Sequence, residues 1–156
     1  ASALYIACQE GQIECVRLLL EAGAATLLEA GAAVSQAAED GVTPLFMACA
    51  RGHVDIVRLL LEVGAAKDQT DEQGVSPLLI ACWQGHLECV RLLLEAGAAA
   101  NQARNTGATP LFKACQNGHL EIARLLLEAG AAINQARNDG ATPLFAACFQ
   151  GHLEIA

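Results

Sequence analysis

Apolar residues in this chain alternate between two helical patterns, each bounded by turn residues. In the first, Leu45, Phe46, Ala48 and Cys49 follow Thr43-Pro44 and stop at Gly52. A hydroxyl residue before proline predicts a helix start, because the N–H that proline lacks would be unsatisfied there anyway. Glycine at the far end supplies a left-handed cap, so a first helix of about two turns is predicted. In the second pattern, Ile56, Leu59 and Leu60 recur at i, i+3 and i+4 and line one face of a helix that ends by Gly64. Asp55 with Arg58, Glu88 with Arg91 and Glu121 with Arg124 lie three apart on the other face, where such pairs contribute only ~0.2–0.5 kcal/mol. Polar segments rich in Asn, Asp and Gly, such as Asn101–Gly107 and Asn134–Gly140, separate the helix pairs and predict tight turns.

The pattern repeats every 33 residues, as in Thr43-Pro44-Leu45, Ser76-Pro77-Leu78, Thr109-Pro110-Leu111 and Thr142-Pro143-Leu144. Gly52-His53, Gly85-His86, Gly118-His119 and Gly151-His152 keep the same phase, and a leading unit has Ser2-Ala3-Leu4 in place of Thr-Pro-Leu. Self-similarity at this period predicts stacked units, none of which can bury its apolar face alone. The repeated wording, G-x-T-P-L-F-x-A-C-x-x-G-H-L-E-I-x-R-L-L-L-E-A-G-A-A, resembles the ankyrin repeat over nearly the whole chain. The resemblance implies an all-α solenoid of L-shaped repeats: helix-turn-helix pairs joined by projecting β-hairpin fingers, with little strand. The array is one domain, with units at about 1–38, 39–71, 72–104, 105–137 and a shortened 138–156.

Two departures from the family pattern stand out. Tyr5, Phe46, Leu79, Phe112 and Phe145 occupy the place where the family has a histidine bonded to loop backbone. Ala66, Ala99 and Ala132 replace the family's aspartate after Gly-Ala. Burying an aromatic contributes on the order of 1.5–3 kcal/mol and offsets part of the loss, but weaker polar bracing of the fingers is expected.

A formal charge of −8 argues against nucleic-acid binding, which depends on a dense positive surface. No apolar run is long enough for a transmembrane helix. The chain starts inside a unit, so no signal peptide is expected in it, and both ends read as cut from something longer. Of seven cysteines, Cys8, Cys49, Cys82, Cys115 and Cys148 share one repeat position, and Cys15 and Cys89 another. Equivalent positions on neighbouring helices lie roughly 8–10 Å apart, beyond the ~7 Å reach of a disulfide, and they do not converge as zinc requires. Small buried hydrophobes in a reducing cytoplasmic or nuclear compartment are the expectation.

The residues contain no catalytic constellation, so a non-enzyme without metal or cofactor is expected. His53, His86, His119 and His152 occupy one structural position and are spread along the axis, whereas catalysis needs convergence. Positions that vary between units are more informative. The fingertips read Glu39-Asp40, Glu72-Gln73, Asn105-Thr106 and Asn138-Asp139. The first-helix ends include Arg51, Trp83-Gln84, Gln116-Asn117 and Phe149-Gln150. The resemblance assigns such positions to a concave face that binds a protein partner. Trp83 and Phe149 are either anchors for that partner or covers for neighbouring helices. Glu39, Asp40, Asp68, Asp71 and Glu72 make the early fingers acidic, whereas Arg104 and Arg137 moderate the later ones. A basic partner facing the early units would gain on-rate, although a merely solvated charged face is the plainer reading. Uncapped ends also predict end-to-end self-association. The alternative is an engineered or fragmentary scaffold carrying a tandem duplication, with no natural ligand.

That duplication is explicit, since Leu19–Ala25 is written again as Leu27–Ala33 with Thr26 between. A continuous helix would carry its end roughly 12 Å outward at 1.5 Å per residue. A break after Gly23 and a restart at Thr26, capped with Glu29, is expected instead, with either copy able to fill the regular slot.

Overall fold

The computed structural model of the protein describes residues 2–23 and 34–155, among which there are nine helices and no strand. They are α1 (Ala3–Gln9), α2 (Ile13–Gly23), α3 (Pro44–Arg51), α4 (Val54–Glu62), α5 (Pro77–Gln84), α6 (Leu87–Glu95), α7 (Pro110–Asn117), α8 (Leu120–Glu128) and α9 (Pro143–Gln150). The expected break and restart of the helix within the duplicated segment fall at 24–33, outside the described residues.

Each proline-led helix starts as its sequence dictates. The hydroxyls of Thr43, Ser76, Thr109 and Thr142 accept from the backbone N–H of Phe46, Leu79, Phe112 and Phe145 at 3.1–3.2 Å. Thr43, Ser76 and Thr109 are almost wholly buried, so losing this bond would leave a polar atom unsatisfied in the core. Gly52 closes α3 at φ 73°, and its N–H returns to the carbonyls of Ala48 and Cys49. Helices α1, α3, α5, α7 and α9 pack in succession as one layer, and α2, α4, α6 and α8 as a second. Leu45, Leu78, Leu111, Ile56, Leu60, Leu93 and Leu126 fill the space between them.

The stack has two open ends. Leu45, Leu78 and Leu111 are at most 2 % exposed, whereas Leu144 at the same repeat position is 53 % exposed. Phe145, Phe149 and Leu153 are exposed beside it, and Ile6, Leu18 and Leu19 are exposed at the opposite end. The shortened last unit has one helix among the described residues, and after Gly151 the described chain continues as turn through Ile155.

The fingers are hairpin turns without strands. The N–H groups of Asp71, Arg104 and Arg137 donate to the carbonyls of Val75, Ala108 and Ala141 at 2.9–3.1 Å. Neighbouring fingers are joined by backbone bonds from Glu72 to Asp40, Asn105 to Gln73 and Asn138 to Thr106. The weak polar bracing expected from the sequence is corrected here. Oγ of Ser35, Oδ1 of Asp68 and Oδ1 of Asn101 accept from the N–H groups of Ala66, Ala99 and Ala132 in the following repeat, at 2.7–2.8 Å. The brace thus reaches across the stack from a position 31 residues earlier. In place of the family's histidine, Phe46, Leu79 and Phe112 are buried, but Phe145 at the open end is 57 % exposed.

Candidate interaction surface

The four histidines sit at the head of the second helices, where Nε2 meets a carbonyl at the end of the preceding repeat's first helix. The pairs are His53 with Gln9, His86 with Ala50, His119 with Trp83 and His152 with Gln116, at 3.2–3.3 Å. Such carbonyls have no partner within their own helix, so each histidine is engaged structurally. The imidazole also lies against a left-handed glycine, and a Cβ on Gly52 would stand 2.6 Å from His86 Nδ1. The Gly-His step is therefore an interlock between successive repeats.

The cysteines are free among the described residues, with Cys8, Cys49, Cys82, Cys89 and Cys115 buried and Cys15 and Cys148 exposed. The two exceptions lie where the array opens, since Cys15 borders the face formed with Ile6 and Leu18. Burial pushes the Cys8 thiol up to about 12 and that of Cys115 to about 11. Burial and the charge of Glu88 push Cys89 to about 11. These thiols stay protonated near neutral pH and are poor nucleophiles. Among the described residues no group of three or more His, Cys, Asp or Glu side chains is arranged to hold a metal, and no helix is long and apolar enough to cross a membrane.

The fingertip positions divide into engaged and free groups. Asn105 and Asn138 donate their side-chain amides to the carbonyls of Glu72 and Asn105, so both also join neighbouring fingers. Asp40 Oδ1 accepts from Val42 N–H, and Asp139 is paired with Arg137 at 2.6 Å. Gln73 accepts from Arg104 Nη2 at 3.1 Å. The side chains of Glu39, Glu72 and Thr106 are exposed, as are Arg51, Gln84 and Gln150 on the first-helix ends. Asn117 donates to the Trp83 carbonyl at 2.7 Å.

The two unusual aromatics differ. Phe149 is 76 % exposed and stacks on Phe145 with ring centroids 5.9 Å apart, which places it at the open end. Trp83 is half-buried inside the array, with the Lys113 ammonium 3.9 Å and the Arg104 guanidinium 5.6 Å from its ring centroid. Contacts of this type contribute about 0.5–2 kcal/mol, more where water is excluded. Lys113 is only 9 % exposed and donates to Gln116 Oε1 at 2.9 Å. The Arg137 guanidinium lies 5.3 Å from the buried Phe112 ring. Burial, then the charges of Arg104 and Arg137, hold the Lys113 pKa below the ordinary lysine value.

Lys113 is the residue that sequence reasoning passed over. The signal was present, because the other repeats place Ile6, Met47, Ile80 and Ala146 at this position. A lone lysine at a mostly apolar repeat position is a local exception, set apart from the variable fingertips and helix ends.

A family model for ankyrin repeats in three copies matches residues 24–104 and 96–156, and a model for the single ankyrin repeat matches residues 1–31. A comparison with curated proteins returns no match.

Proposed function

Since the chain belongs to the ankyrin repeat family, whose members are generally protein-interaction modules without catalytic activity, we propose that it is a non-catalytic module that holds a protein partner. The binding surface in this reading is the strip of fingertips and first-helix ends from Glu39 to Gln150. Five units are read along it, at about 1–38, 39–71, 72–104, 105–137 and 138–156. The observation that carries the reading is the division of labour between positions. Recurring residues are consumed by the scaffold: threonine and serine as caps, histidine as interlock, leucine as core. Side chains that differ between units, such as Arg51, Gln84 and Glu72, are exposed and free to define a partner. Buried thiols at raised pKa suit a reducing, cytoplasmic or nuclear setting.

The test is a photocrosslinking amino acid placed at Glu72 or Gln84 and, for comparison, at the exposed second-helix positions Arg58 or Glu95. The same protein adducts from Glu72 and Gln84 in cell extract, absent from Arg58 and Glu95, support the proposal. Equal labelling from both faces, or none from the strip, overturns it and favours a scaffold without a natural ligand.

A further inference from the structure

The chain carries a formal charge of −8, yet three of its nine basic residues lie against two aromatic rings, Trp83 and Phe112. Lys113 and Arg104 both face the Trp83 ring, and Arg137 faces Phe112, the residue next to Lys113. Among the described residues no carboxylate pairs with Lys113 or Arg104, and the partner of Arg137, Asp139, is itself half-exposed. The ammonium of Lys113 has three N–H donors. One meets Gln116 and the ring face takes another, leaving donor capacity unused. Nε of Arg104 and Nε of Arg137 are buried with no hydrogen-bond partner. Holding three like charges near one another is costly unless an anion approaches them.

We propose that Lys113, Arg104 and Arg137 form a notch for a carboxylate, supplied by an Asp- or Glu-containing segment of the partner protein. This rests on the reading that the strip holds a protein, and it assigns that protein an acidic contact point. Neighbouring charge favours a short acidic segment over a nucleic acid. Glu39, Asp40, Asp71 and Glu72 crowd the earlier fingers, so a continuous phosphate chain running along the strip would be repelled on one side. A carboxylate held locally meets Lys113 and Arg104, which have no ion-pair partner among the described residues, and displaces or joins Asp139 at Arg137; guanidinium forks match its geometry. Cation–π contacts with Trp83 and Phe112 help hold the cations in place.

Fluorescein-labelled hexaglutamate, titrated at low salt and followed by anisotropy, is the probe, with labelled oligothymidylate as competitor class. Lys113→Met keeps an apolar stem where another repeat has Met47, and Arg104→Gln provides a second variant on a finger should the first unfold. Each is expected to weaken hexaglutamate binding by about tenfold or more, the loss typical of a charged hydrogen bond. Arg58→Gln, an exposed cation on α4, should change it less than about twofold. Undetectable hexaglutamate binding, or equal binding by the wild type and both variants, overturns the proposal. Tighter binding of oligothymidylate, lost in the same variants, overturns it in favour of nucleic acid. Crosslinks at Glu72 and Gln84 that survive Lys113→Met at full strength would sink the carboxylate notch and leave the interaction module standing. Hexaglutamate binding without any crosslinks from the strip would do the reverse.

Discussion

Replacing one repeat position with alanine in two places isolates what the stack contributes to stability. Leu78 and Leu144 follow the same proline in the same capped helix start, but Leu78 is 0 % exposed and Leu144 53 %. Leu→Ala removes three carbons, worth roughly 2.4 kcal/mol at ~0.8 kcal/mol each when fully buried. At Leu78, layers on both sides restrict collapse, so a cavity penalty adds and the total should reach about 3–5 kcal/mol. At Leu144 about half the transfer term applies and no closed cavity forms, giving ~1 kcal/mol or less. Local propensity cancels, since the same substitution falls at the same position after a hydroxyl cap (Ser76 or Thr142) and a proline. Urea unfolding followed by circular dichroism, with Trp83 fluorescence as a second probe, measures both losses. In thermal melts, with roughly 2–4 °C per kcal/mol for a chain of this size, Leu78→Ala should lower Tm by about 6–20 °C and Leu144→Ala by about 4 °C at most. Equal losses at the two sites would refute the argument, because burial by the next layer would then not be the source of stability.

In native buffer a thiol reagent should label Cys15 and Cys148 quickly and the other five only on unfolding; fast reaction of five or more would refute the burial argument. Because the Cys8 thiol is raised from 9.0 to about 12 in the folded state, its protonated form favours folding fully below about pH 9, and that contribution is lost as pH rises toward 12. Cys8→Ala should flatten the corresponding part of the pH–stability curve; an unchanged slope would refute the linkage. Gly52→Ala should destabilise through both its φ of 73° and its clash with His86, and His86→Ala should cost about 1–2 kcal/mol through the orphaned carbonyl. Combined, the two should lose less than their sum, so strict additivity in a double-mutant cycle would refute the interlock. Asn101→Leu should cost about 0.5–1 kcal/mol by exchanging the exposed bond to the Ala132 N–H for one to water, whereas Asn101→Asp, which keeps an acceptor, should lose less in the same urea assay.

Local signals in the sequence were sufficient for the helices. Thr-Pro starts, glycine stops and apolar residues at i, i+3 and i+4 act within a few residues, so α3 to α9 are legible from their own segments. The period of 33 residues was sufficient for the stack, since identical units can bury their faces only against one another. Contacts between units were beyond local reading. Asp68 and Asn101 read as turn residues, but as acceptors they serve alanines 31 residues later, and only the stacking register brings those groups together. Leu111 and Leu144 are the same letter in the same phrase, and the presence or absence of a following layer decides which is core. The candidate site divides the same way. Glu72, Gln84 and Arg51 could be named from their variation between repeats, while Lys113 gains its meaning from Trp83, Arg104 and Arg137, contributed by other helices and fingers. Charge interactions act through space, and no spacing along the chain records how two cations come to face the Trp83 ring and a third the Phe112 ring.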